Sequence, residues 1–313
     1  MTAKSTPVDI KEEDIVSAPR QRRLLPAKWL GGICFVIGAA ATPFVVLGLS
    51  AMANRVQAPV AVDYAAMLPA AAQDQTCSAR EAPQEDSITI EDGLKINVRT
   101  PANYDRTRAH PLLVAFPPGG FGRLASESYY SMTAAATERG FIVAFPDSRP
   151  LSKSMVELYS KVADAVAAQW CIDRERVVFL GHSDGASASY GISLLERGAL
   201  QPRAMLVSGA GLSGNDLASQ SCPSVRRVMI VHGRNDALFP DFGHQASLWW
   251  SKCFGCTPDK FAKVAPHCVE AEGCQSGANL VFCETDAEHV TAPVIGDFEL
   301  DFLRGVDTNA KKG

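Results

Sequence analysis

An excess of either charge is missing from this 313-residue chain: 30 Lys and Arg stand against 34 Asp and Glu, a formal net charge of −4. A protein that holds nucleic acid through its phosphates needs a basic face, so that partner class is not expected. The six histidines are scattered, so composition points to no metal site, and no internal repeat argues for a solenoid or propeller. Charge is absent altogether from Trp29 to Ala53 (WLGGICFVIGAAATPFVVLGLSAMA), 25 residues that exceed what a bilayer crossing needs.

Arg20, Arg22, Arg23 and Lys28 precede that stretch with no acid among them. Their bias keeps the N-terminus cytoplasmic and exports the chain beyond Asn54. Ala51-Met-Ala53 has the small-x-small form of a cleavage site, but 28 preceding residues are long for a signal peptide. The expected organisation is a cytoplasmic polar tail (1–28), an uncleaved transmembrane anchor (29–53), an Ala/Pro-rich tether (54–76) and a catalytic domain (77–313). That domain is expected in the periplasm or outside the cell, tied to the inner membrane or, if the segment is cleaved, released.

Eight cysteines come after the apolar segment: Cys77, Cys171, Cys222, Cys253, Cys256, Cys268, Cys274 and Cys283. An even number behind an export segment reads as disulfides, in any of 105 pairings. The alternative is a zinc knuckle of Cys253, Cys256, His267, Cys268 and Cys274, which an oxidising compartment disfavours.

Short apolar runs at 87–90, 95–99, 112–116, 141–145, 176–180, 204–207, 227–231 and 280–283 read as eight strands. Helical patterns at 126–139, 155–170, 186–197, 243–253 and 293–303 separate most of them. Strand and helix in alternation predict an α/β fold, a mostly parallel eight-stranded sheet with helices on both faces. The first two strands lack a helix between them and should pair as an antiparallel edge hairpin. Ligands of such sheets bind beyond the carboxyl ends of the strands, so the residues just past each strand are the ones to read.

After 176–180 comes Gly181-His182-Ser183-Asp184-Gly185, then Ala186, Ser187 and Ala188. A G-x-S-x-G turn from strand to helix strains the serine, presents its hydroxyl above the sheet and aims a helix N-terminus at developing negative charge. A hydroxyl is a weak nucleophile and needs a base and an acid. Asp236 comes after 227–231 and His289 after the last strand, completing the order Ser…Asp…His. Asp216 and His267 are the runners-up; His182 and His232 lie too close to strand ends and read as turn and packing residues. The oxyanion needs donors too. After 112–116 come Pro117-Pro118-Gly119-Gly120; prolines have no N–H, so Gly119 is the first available, with the N–H of Asp184 as its partner. The Asp184 carboxylate is expected to point away from the oxyanion. Phe121, Phe239, Trp249 and Trp250 are equally readable as pocket and as core.

Four features in this order, each directly after a strand, resemble the α/β-hydrolase superfamily. Within it, residues 87–305 resemble the secreted polyhydroxybutyrate depolymerase and feruloyl esterase family. The resemblance is carried by PLLVAFPPGG (111–120), CIDRERVVFLGHSDGA (171–186), VMIVHGRNDALFP (228–240), GCTPD (255–259) and EGCQSGANLVFCETDAEH (272–289). It implies a serine esterase with Ser183, Asp236 and His289 as triad, Gly119 as first oxyanion donor, a Cys256–Cys274 bond and no cofactor. Departures are Pro117-Pro118 in place of His-Gly, Ala287-Glu288 before the histidine, and FPDSRPLSKS (145–154) where a tryptophan-containing segment is usual. With no appended binding domain after Gly305, soluble or oligomeric esters are expected rather than solid polymer. The competing readings are an acyltransferase or peptidase on the same fold, and a binding module that has lost catalysis.

Overall fold

The computed structural model describes Cys77 and residues 84–305. The expected tail, anchor and tether lie outside the described residues; among those described, no helix is long and apolar enough to cross a membrane.

Ten strands form one sheet: β1 (Glu85–Thr89), β2 (Lys95–Arg99), β3 (His110–Phe116), β4 (Ile142–Pro146), β5 (Ile172–His182), β6 (Ala204–Ser208), β7 (Arg227–Gly233), β8 (Phe261–Ala265), β9 (Cys268–Ala271) and β10 (Asn279–Thr285). Their order is β1-β2-β4-β3-β5-β6-β7-β10-β9-β8. The six strands from β4 to β10 run parallel, and an antiparallel pair flanks them on each side. β1 and β2 are the expected edge hairpin.

The expected eight strands become ten because 261–271 folds as a second edge hairpin, β8–β9, paired to β10. Its residues are mostly half-buried and give no continuous apolar run. Two disulfides hold this end, Cys256–Cys274 and Cys268–Cys283, the latter joining β9 to β10.

Helices cover both faces. Side chains alternate along each central strand: Leu112, Val114 and Phe116 of β3 enter one core, and Leu113 and Ala115 the other. The first core is closed by α3 (Lys153–Tyr159), α4 (Val162–Ala167), α5 (Asp184–Leu194), α6 (Gly214–Ala218) and α7 (Phe242–Cys253). The second is closed by α1 (Arg123–Tyr130), α2 (Thr133–Glu138) and α8 (Asp297–Arg304). Burial on both sides explains why VVFL and VMIV are uninterrupted apolar runs.

Two expected helices are each split. Over 126–139, Ser131 adopts a left-handed conformation (φ 47°) that ends α1. Over 155–170, the chain breaks at Ser160, whose carbonyl receives the close approach of Gly198; a Cβ there would lie 2.3 Å from that oxygen. The remaining pairs are Cys77–Cys171 and Cys222–Cys253. Every thiol of the alternative zinc knuckle is therefore bonded to another cysteine. Four disulfides belong to an oxidising compartment.

Candidate active site

Ser183 stands between β5 and α5 with φ 56° and ψ −119°, a conformation that side chains other than glycine rarely adopt. Its glycine neighbours make the turn sterically feasible. A Cβ on Gly181 would lie 2.3 Å from the Gly185 backbone, and one on Gly185 would lie 2.3 Å from the Phe116 carbonyl oxygen. The turn is then locked. Ser183 N–H donates to Ser208 O (2.9 Å), and the Ser187 hydroxyl donates to Ser183 O (3.1 Å) while accepting from Gly211 N–H (3.0 Å).

His289 reaches this serine from the loop after β10: Nε2 lies 2.9 Å from Ser183 Oγ. Its Nδ1 lies 2.7 Å from Oδ2 of Asp236, in the loop after β7. Asp236 is 3% exposed, and its other oxygen accepts from the N–H groups of Leu238 (2.9 Å) and Phe239 (3.0 Å). Burial pushes its carboxyl up, but the His289 contact and these two donors prevail and hold it below the usual carboxylate range. An ionised acid facing Nδ1 fixes that nitrogen as the donor and leaves Nε2 to accept from the serine hydroxyl.

The two loops are stitched together. Arg234 N–H donates to Thr285 O (2.8 Å), Asn235 N–H to Ala287 O (3.2 Å), and the Asn235 amide to Asp286 O (2.6 Å). The Arg234 guanidinium pairs with Glu284 (2.8 Å) and also with Asp286. On the far side, Phe239 packs edge-on against the imidazole at 5.0 Å, so it belongs to the site, whereas Trp250 is fully buried core.

Beyond β3, Gly120 N–H donates to Ser148 Oγ (3.0 Å) and Phe121 N–H to Pro118 O (3.0 Å). Among the described residues the Gly119 N–H has no partner, and it faces no competition from the two prolines before it. The loop is braced by the 145–154 segment: Ser148 N–H donates to Phe121 O (3.2 Å) and Arg123 pairs with Asp147 (2.9 Å). The buried Tyr130 hydroxyl donates to Phe116 O (2.7 Å) and accepts from His182 N–H (2.8 Å), tying the ends of β3 and β5 together. Nothing in the sequence marks Tyr130, Ser148 or Ser187; their roles arise from which strand ends the sheet makes adjacent.

The Asp184 carboxylate lies close to the glycine loop: a Cβ on Gly119 would lie 2.6 Å from Asp184 Oδ2. Burial raises this carboxyl above its ordinary value, with the nearby His289 drawing it back.

The runners-up lie elsewhere. Asp216 accepts from the Ser213 N–H and hydroxyl (both 2.7 Å) and caps α6. His267 forms the turn between β8 and β9. His232 is buried beneath α7, away from Ser183. His182 is buried beside His289 (ring centroids 5.1 Å), and its Nδ1 lies 3.1 Å from Ser208 Oγ. Burial, with His289 adding to it, takes its pKa down to about 4.

No family model matches the chain, and no curated protein matches it in sequence. Its fold does match solved structures. An acetyl xylan esterase from Aspergillus awamori aligns over 71% of this chain and 99% of its own, with 15% identity and a TM-score of 0.58. Esterase 2 of Thermogutta terrifontis aligns over 72% and 92% (13% identity, TM-score 0.48). An S-formylglutathione hydrolase of Staphylococcus aureus aligns over 71% and 96% (13% identity, TM-score 0.47). The chain has the α/β-hydrolase fold, as sheet order and the esterase from Aspergillus agree.

Proposed function

We propose that this chain is a serine carboxylic-ester hydrolase with Ser183, His289 and Asp236 as its triad. The observation that carries the reading is the unbroken chain of hydrogen bonds from Ser183 Oγ through His289 to Asp236. His289 Nε2 takes the hydroxyl proton as Ser183 Oγ attacks the ester carbonyl carbon. The Gly119 and Asp184 N–H groups receive the carbonyl oxygen as it becomes an oxyanion. Asp236 stabilises the imidazolium, which returns the proton to the leaving alcohol. Water, deprotonated by the same histidine, then attacks the acyl-enzyme and releases the acid. No cofactor takes part. The resemblance in sequence favours esters of hydroxyalkanoate or hydroxycinnamoyl type, and the uncharged run 29–53 behind its basic flank favours a domain held at the inner membrane and facing the periplasm, or released if that segment is cleaved.

A fluorophosphonate probe tests the chemistry. It should label the wild type stoichiometrically and leave Ser183→Ala unlabelled; a folded wild type that resists labelling sinks the reading. Membrane fractionation of the full chain tests the anchor, which fails if the protein appears only in the soluble fraction.

A further inference from the structure

Asp184 fits the proposed chemistry least comfortably. Its N–H is useful there, but any small residue would supply the same N–H. Its carboxylate carries the charge that a developing oxyanion repels. Yet this side chain is half-buried at the site and lies against Gly119, the other oxyanion donor. Among the described residues it makes no hydrogen bond and no ion pair. The carboxylates on either side of it are engaged: Asp147 with Arg123 and Asp236 with His289. A half-buried acid with no side-chain partner opposes the reaction and costs stability that its place in the first turn of α5 offsets only in part, so a further partner would be favourable.

That something is in the substrate. A carbonyl oxygen held between the Gly119 and Asp184 N–H groups brings the atoms next to the scissile carbon beside this carboxylate. We propose that Asp184 is a specificity-determining residue that accepts a hydrogen bond from a donor, a hydroxyl or an ammonium, carried on the acyl chain close to the scissile carbonyl. This deepens the ester-hydrolase reading and rests on it. A site built around an acceptor discriminates sharply, because an analogue without the donor leaves the acid desolvated and unpaired.

The test compares phenyl esters of butyrate, 3-hydroxybutyrate and 3-ammoniobutyrate. Wild type should prefer a donor-bearing ester over plain butyrate by at least about tenfold in kcat/KM. Asp184→Ala should bring that ratio close to one, as turnover of the donor-bearing ester falls and that of butyrate rises. Asp184→Asn separates the two donors: its amide oxygen still accepts from a hydroxyl but does not hold an ammonium, so only a hydroxyl preference partly survives. A merely structural role at the start of α5 would lower all three esters together and leave the ratio unchanged. An unchanged ratio in variants that fluorophosphonate still labels overturns this inference alone. A wild type neither labelled nor active on any of the three overturns it together with the hydrolase reading.

Discussion

At the scale of single residues, the site depends on close approach. Gly209 (φ +53°) lies where a Cβ would come within 3.1 Å of the His182 ring and 3.3 Å of the His289 ring. Gly209→Ala should therefore displace the imidazole from Ser183 as well as straining the backbone. We expect kcat to fall by about 100-fold, because a misplacement of about 1 Å costs that much, and stability to fall by about 1–3 kcal/mol. Ester turnover and urea melts of the same preparation check this, and a fully active Gly209→Ala would refute it. Tyr130→Phe acts differently. It removes the partner of the buried His182 N–H, which should cost about 1–3 kcal/mol in denaturant unfolding. The serine, acid and histidine are legible in the sequence because each comes after a strand whose apolar run announces it. Tyr130 and Ser148 are not, since a tyrosine that bridges two strand ends has no local signature. The proximity of the Asp184 carboxylate to Gly119, 65 residues earlier, escapes the sequence for a related reason, since it depends on which strand ends the sheet makes adjacent.

At the scale of elements, burial decides what can be read in advance. Strands covered on both faces are written as β-branched runs, and those lie within a few residues of their observed bounds. The β8–β9 hairpin has no such run, because FAKVA is half-buried on either side of the exposed Lys263 and owes its place to β9, β10 and disulfides. Helical periodicity likewise runs through 126–139 and 155–170 without marking the breaks at the left-handed Ser131 and at Ser160, against whose carbonyl Gly198 packs. The Cys268–Cys283 bridge closes a separation of 15 residues, and replacing both cysteines by alanine should remove about 3 kcal/mol of stability. Thermal and chemical melts measure the loss. Since β10 leads into the His289 loop, activity should become more temperature-sensitive in that variant than in the wild type.

At the scale of the molecule, buried histidines set a pH dependence. His110, His182 and His232 have pKa values lowered chiefly by burial, so the folded chain resists protons that the unfolded chain accepts. Between about 6.5 and 4 the unfolded state binds more protons, so the stability present above 6.5 drains away as pH falls through this window. His182 alone should account for a loss on the order of 3 kcal/mol by pH 4. Urea melts at pH 7 and pH 4.5 should show the drop, with a shallower one for His182→Gln; identical slopes would refute the assignment.

The chain order of the sheet has a consequence for timing. Strand β10 is inserted between β7 and the terminal hairpin, and the histidine loop comes after it. A chain growing from its N-terminus thus has the serine turn and the acid loop long before it has residue 289. Until β10 docks, the partners of Arg234 N–H and Asn235 N–H are also missing, so the Asp236 loop is held only by its own internal hydrogen bonds. On the proposed chemistry, reactivity would be withheld until the final strand is made and threaded into place, and a product truncated anywhere before it would carry Ser183 without His289.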